Sequence, residues 1–116
     1  CKTETGHTLE LDGNGETMTP MESVLLSVGA CSSIDVVDIL KKSRKQVDDC
    51  ICQLDATRAE EAPRFFTAIH AHYIVKGEGL SEKNVARAVQ LSAEKYCSVM
   101  LMLTGNVEIT TSYEIA

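Results

Sequence analysis

Apolar residues run almost without a break from Met21 to Ile39, and this stretch governs the reading of the chain. Val24, Leu25, Leu26, Val28, Ala30, Ile34, Val36, Val37 and Ile39 fall on every side of a helical wheel. The segment therefore predicts a helix with no polar face, buried on most sides. Thr19 as N-cap, Pro20 at the first helical position and Glu22 in the first turn supply its start signal. Charges from Asp35 onward predict that it emerges into water there, leaving Cys31 in the deeply buried half. Gly29 and Ala30 are small enough to let a neighbouring backbone or ligand approach. On either side the apolar period falls to two. Thr5–Leu11 alternates as a strand before a turn at Asp12–Gly15. Cys50–Arg58 alternates with Cys52, Leu54 and Ala56 inward. Phe65–Lys76 is the best strand. Phe65, Thr67, Ile69, Ala71, Tyr73 and Val75 share one face, and Phe66, Ala68, His70, His72 and Ile74 the other. A short polar link through Pro63 makes these last two strands a hairpin. Ser81 caps a second helix with Val85, Ala88, Val89, Ser92 and Tyr96 at helical spacing. A break near Cys97 precedes a short apolar run, Val99–Leu103. Gly105 then turns the chain into a closing strand, Val107–Glu114.

Helices and strands in this order predict one α+β domain spanning 1–116. One small sheet cannot cover a helix that is apolar on every side, so a second copy of the chain is expected to mask the rest as an obligate homodimer. Composition narrows the partners. The 116 residues carry a net charge of −6. The only basic cluster, Lys41–Lys45, falls where a helix ends and favours its dipole. That argues against nucleic acid, which demands a broad positive face. No apolar run is expected to reach the length of a membrane span, and no secretory signal is visible. Five cysteines, an odd number, do not suit a secreted disulfide framework and point to a reducing cytoplasm.

Cys31 and Cys97 hold the candidate chemistry. If folding brings them together, a thiolate on one can attack an electrophile and the other can resolve the product. A helix start at Cys97 would lower the pKa of its thiol. A thiolate in apolar surroundings also needs a cation and a hydrogen-bonding carboxylate or amide. Glu22, about 2.5 turns before Cys31, lies on the opposite side of the helix and could orient an arginine. Arg58, Arg64 and Arg87 are the candidates, and the sequence does not choose among them. Two buried structural thiols are the competing reading. Met100 and Met102 beside Cys97 suit either an adaptable apolar pocket or ordinary packing. Cys50 and Cys52 read as half-buried strand thiols, and His70 with His72 as a solvent-facing pair lacking a third ligand nearby in sequence.

Pro20–Val37 around Cys31, followed by Ala93–Val99 around Cys97, resembles the OsmC/Ohr family of thiol-dependent hydroperoxide-reducing proteins, and within it the YhfA-like branch. The likeness runs from Gly6 to Glu114. It implies an OsmC-like fold: an intertwined α+β homodimer in which a long buried central helix carries the first cysteine against an antiparallel sheet. The N-terminal strand is expected to be truncated, because the chain opens on Cys1. The resemblance further implies that Cys31 is the peroxidatic thiol and Cys97 the resolving one. Substrates would be organic hydroperoxides, the reductant a dithiol, and no metal or organic cofactor would take part. A non-catalytic dimer holding an apolar or thiol-containing ligand at its interface is the alternative. Two departures stand out. The Ohr and OsmC branches carry a catalytic Glu directly after the helix-start Pro. Here that position is Met21, and Glu22 lies about 100° around the helix from it. The N-terminal Lys2–Gly6 stretch also lacks the arginine those branches place in that region.

Overall fold

The computed structural model describes residues 1–116. Its elements are α1 (Pro20–Lys42), β1 (Gln46–Arg58), β2 (Phe66–Glu78), α2 (Glu82–Leu91), a π-helical turn (Ser92–Tyr96), α3 (Ser98–Leu103) and β3 (Glu108–Ile115). The start of α1 follows the sequence closely. The Thr19 hydroxyl accepts the Glu22 N–H at 3.2 Å, and the Glu22 carboxylate accepts the Thr19 N–H at 3.1 Å. This reciprocal capping box satisfies two otherwise orphaned donors.

The sheet has the order β1-β2-β3. β1 and β2 form the expected antiparallel hairpin, but β3 lies parallel to β2. The sheet is therefore mixed, not purely antiparallel. The cause is the connection: α2, the π turn and α3 carry the chain back across one face, which is the crossover that parallel pairing requires. The expected first strand over Thr5–Leu11 is absent. Residues 1–19 form only isolated bridges, Lys2 to Thr8 and Leu11 to Met18. That segment folds on itself, with Leu9 N–H donating to the Cys1 carbonyl at 3.0 Å.

Two bulges set which side chains face the core. Val47 pairs with Gly77 and Asp49 with Lys76, so Asp48 is an extra residue in β1. Thr57 pairs with Ala68 and Arg58 with Phe66, so Thr67 is an extra residue in β2. An inserted residue reverses the alternation beyond it. Phe66, at 6% exposure, consequently joins Ile69, Ala71, Tyr73 and Val75 inside, while Phe65 stands out at 57%. A strict period of two places these two rings the other way round. Ala56, expected inside, is exposed. Gly77 is required here, because a Cβ on it would sit 1.9 Å from the Gln46 carbonyl oxygen.

Against the sheet, α1 buries Val28, Gly29, Ser32, Val36 and Leu40, a stripe at helical spacing. Gly29 packs directly on β1, with Leu54 Cδ1 2.8 Å and Cys52 Sγ 3.5 Å from where its Cβ would be. The all-round burial expected of α1 is not present within one chain. Ala30 is exposed, and so are Val24, Leu26 and Ile34, the last at 62%. Burial also extends to Leu40, beyond the point where the helix was expected to leave the core. By length and composition α1 could cross a bilayer, contrary to the expectation that no run is long enough: it has 23 residues and a mean hydropathy of 1.7 over its most apolar window. Its stripe of buried residues packed on the sheet and α2 is that of a core helix.

Candidate functional site

The site is built by two interruptions of regular structure. In α2, Val85, Ala88 and Val89 face the core, and Ser92 continues that stripe. The next turn is wider: Cys97 N–H donates to the Ser92 carbonyl, five residues back, at 2.8 Å. This π-type bond adds one residue to the turn and rotates everything after it. Tyr96 swings out to 51% exposure, and Cys97 takes its place with none of its surface exposed. Cys97 is then the N-cap of α3, its sulfur accepting the Met100 N–H at 3.4 Å.

Across from it stands α1. Cys31 is half-buried and Asp35 lies one turn further along the same face. The two sulfurs and a carboxylate oxygen of Asp35 all lie within 4.8 Å of one another. The two thiols are close enough to affect each other's protonation. Burial, then the contact with Cys31, pushes the Cys97 thiol up to about 11. The Met100 and Val99 N–H groups pull the other way but do not prevail, so the expected lowering of this thiol by a helix start is overturned by burial. Cys97 is therefore a protonated thiol near neutral pH.

Polar side chains around the pair are held firmly. The Ser92 hydroxyl lies 3.2 Å from both the Asp35 carboxylate and the Ser32 carbonyl, fixing α2 against α1 at the site. The Tyr73 hydroxyl donates to the Ser32 Oγ at 2.6 Å, and Ser32 donates in turn to the Val28 carbonyl at 2.7 Å. Beyond Ser33, Cys50 and Cys52 lie half-buried on the inward face of β1. Burial, then Cys50, pushes Cys52 up to about 11.

Asp35 also lines an open cleft of about 410 Å³ with Asp38, Lys42, Arg87 and Tyr96. The cleft opens beside Asp35 on the α2 side. It distinguishes the candidate arginines. Arg58 Nε and Arg64 Nε clamp the hairpin loop by donating to the carbonyls of Arg64 (2.8 Å) and Ala59 (3.1 Å), whereas Arg87 faces the cleft. Glu22 is not brought to the pair within the chain; its carboxylate serves the capping box. Met100 is core and Met102 is 72% exposed, so the two do not line a common pocket.

His70 and His72 lie on the far face of the sheet. His70 bonds Thr110 and Ser112 at 2.6 and 2.8 Å, and His72 bonds Ser112 and Glu114 at 2.6 and 3.1 Å. Their partners come from β3, forty residues away, which is why none was visible locally. Asp35 is the residue that sequence reasoning missed. Its i, i+4 spacing from Cys31 is the signal for it, whereas Glu22 upstream is the carboxylate that the helix start marks.

Comparison with known proteins sets the arrangement in context. Residues 13–112 match the family model of the OsmC-like proteins. The chain is 55% identical to Protein YhfA of Escherichia coli (strain K12) over 112 residues, 95% of this chain and 84% of the relative. The crystal structure of a hypothetical protein from Aquifex aeolicus VF5 superposes with a TM-score of 0.89 at 37% identity, covering 99% of this chain and 84% of that one. A Legionella pneumophila structure named as the organic hydroperoxide resistance protein OsmC superposes with a TM-score of 0.76 at 18% identity, covering 97% and 86%. The last shows a shared fold; the family model and the E. coli relative show more, and the chain belongs to the OsmC-like family.

Proposed function

We propose that this chain is a dithiol redox protein that reduces organic hydroperoxides through Cys31 and Cys97. The observation that carries the reading is the grouping of two sulfurs and the Asp35 carboxylate within 4.8 Å. The two thiols are remote in the chain, and their proximity supports a peroxidatic role for one and a resolving role for the other. The name of the Legionella relative agrees with it.

In the proposed cycle Asp35 accepts the Cys31 proton as that sulfur attacks the distal peroxide oxygen. The O–O bond breaks, the alkoxide takes a proton and leaves as alcohol, and Cys31 becomes a sulfenic acid. The Cys97 sulfur then displaces the hydroxyl from Cys31, releasing water and forming a disulfide. A small dithiol restores both thiols and becomes a disulfide itself. Arg87 and Lys42 at the mouth of the cleft supply positive charge during the first step. The exposed apolar face of α1, Val24, Leu26, Ala30 and Ile34, supports a second copy of the chain as partner. Glu22, near the start of that helix, would then act from the partner's side. A reducing cytoplasm is the compartment this chemistry suits, with neither nucleic acid nor membrane as partner.

The test is consumption of an organic hydroperoxide by pre-reduced protein, followed by stopped flow and thiol mapping. Wild type should lose two thiols per peroxide and link Cys31 to Cys97. Cys97→Ser should stop at a sulfenic acid on Cys31 that a dimedone-type probe captures. Asp35→Asn should slow the first step by about 10²-fold, the low end for a general base. An unchanged rate in Cys31→Ser rejects the assignment.

One observation favours a second reading. A cavity of about 440 Å³ near the start of α1 is lined by Met21, Val24, Phe65, Phe66, Leu103, Asn106 and Val107, nearly all apolar. Such a space suits a small apolar ligand held without turnover. Native mass spectrometry showing a co-purified ligand, together with no hydroperoxide consumption, would favour it.

A further inference from the structure

We propose that Cys31, Asp35 and Cys97 form a binding site for a thiophilic divalent cation of the zinc class. The inference uses side chains of the redox reading but none of its steps, so either can stand without the other.

Three donors of two chemical kinds converge from two elements. Cys31 and Asp35 project one turn apart from α1, and Cys97 from the start of α3. Their ligand atoms already lie within 4.8 Å of one another. A tetrahedral zinc with sulfur ligands at about 2.3 Å holds those atoms roughly 3.8 Å apart. The remaining gap, at most about 1 Å, is within the reach of side-chain rotation, and Cys31 and Asp35 are only half-buried. Outer partners are in place as well. The Ser92 hydroxyl holds one carboxylate oxygen of Asp35, and the Met100 N–H steadies the Cys97 sulfur. Metal-ligating side chains depend on such support for their orientation.

The donor set selects the metal. Two thiols exclude magnesium and calcium, which take oxygen ligands, and suit zinc, cobalt or cadmium. Three protein ligands leave a fourth position, and Asp35 opens onto the cleft with Lys42 and Arg87, where water or another small ligand completes the tetrahedron. The other clusters in the fold lack this set. Cys50 and Cys52 offer two thiols, and the His70–His72 imidazoles are taken up by β3 side chains. On binding, each thiol releases one proton and the metal keeps its charge of +2, so no electron moves. A coordinated thiolate is withheld from electrophiles.

The experiment is a cobalt(II) titration of the full, reduced chain under anaerobic conditions. A thiolate-to-cobalt charge-transfer absorption should saturate at one metal per chain. It should persist in the Cys50→Ser/Cys52→Ser double variant. In Cys31→Ser, Cys97→Ser and Asp35→Asn, affinity should fall by more than the roughly 10- to 100-fold that loss of an outer partner costs. No absorption in wild type, its survival in Cys31→Ser and Cys97→Ser, or undiminished affinity in Asp35→Asn would overturn the assignment. Because a variant can misfold, zinc protection of wild-type thiols against alkylation gives an independent readout. Cys31 should be shielded and Cys1 not; shielding of Cys50 and Cys52 instead also overturns it. Hydroperoxide consumption by the metal-free protein is measured alongside. Metal binding without turnover sinks only the redox reading, and turnover without metal binding sinks only this one.

Discussion

The Tyr73–Ser32 hydrogen bond pins α1 onto β2 one residue from Cys31, and its removal makes a quantitative test of the site's framework. Both groups are buried, and the donor-acceptor distance is 2.6 Å. Tyr73→Phe takes a donor from an oxygen that still donates to Val28, which should cost about 1 kcal/mol. Ser32→Ala is worse, because it leaves a buried phenol hydroxyl without a partner, at about 1–3 kcal/mol. The double variant strands neither group. Its cost should fall short of the sum of the singles by about 1–2 kcal/mol, a coupling far above the few tenths expected of independent sites. At roughly 2.1 cal/mol/K per residue over 116 residues, each kcal/mol moves Tm by about 4 °C. Urea unfolding of all four proteins at one fixed protomer concentration measures the cycle, the fixed concentration removing any contribution from dimerisation. Additivity within about 0.3 kcal/mol would refute the hydrogen bond as the tie between helix and sheet.

Three further outcomes are expected. Cys52, raised from 9.0 to about 11, should carry about 100-fold less thiolate at pH 8 than a free cysteine, and its alkylation should quicken about tenfold per pH unit up to that value. Because its folded pKa is raised, its contribution to stability is complete below about pH 9 and is lost as pH rises through about 11. Tm measured across that window should therefore fall less steeply in Cys52→Ser. Gly77→Ala would drive a Cβ to 1.9 Å from the Gln46 carbonyl oxygen, and should destabilise by more than about 3 kcal/mol, read as loss of soluble folded protein or a sharply lower urea midpoint. Arg44 holds a left-handed φ of 62° just past the end of α1, so Arg44→Gly should raise stability by about 0.5–1 kcal/mol, a Tm gain of about 2–4 °C.

What the chain's pattern disclosed, and what it concealed, follows from how local each determinant is. The capping box at Thr19–Glu22, the Ser81 cap and the hairpin from β1 to β2 depend on residues within a few positions of one another, and all were legible. The two bulges were not, because an extra residue in a strand is defined only against its partner; Phe65 and Phe66 look interchangeable until Arg58 is placed opposite one of them. The parallel placement of β3 is hidden for the same reason. Its partner, β2, lies on the far side of two helices. The site divides along this line too. The approach of Cys31 to Cys97 was anticipated from the resemblance of their flanks, whereas the π turn that delivers Cys97 to the core has no signature in Ser92–Tyr96 beyond an ordinary helical stripe. That stripe predicts Tyr96 inside. A strict 3.6 period would leave Cys97 beside the stripe, with no sulfur facing Cys31. Asp35 makes the converse point: it was visible at i+4 from Cys31, and read as the place where α1 leaves the core. Burial of Val36 and Leu40 beyond it shows why that reading fails. A charge inside an apolar helix marks a change of solvent only when nothing answers it. Here the Ser92 hydroxyl does, and the carboxylate stands within 4.8 Å of two sulfurs.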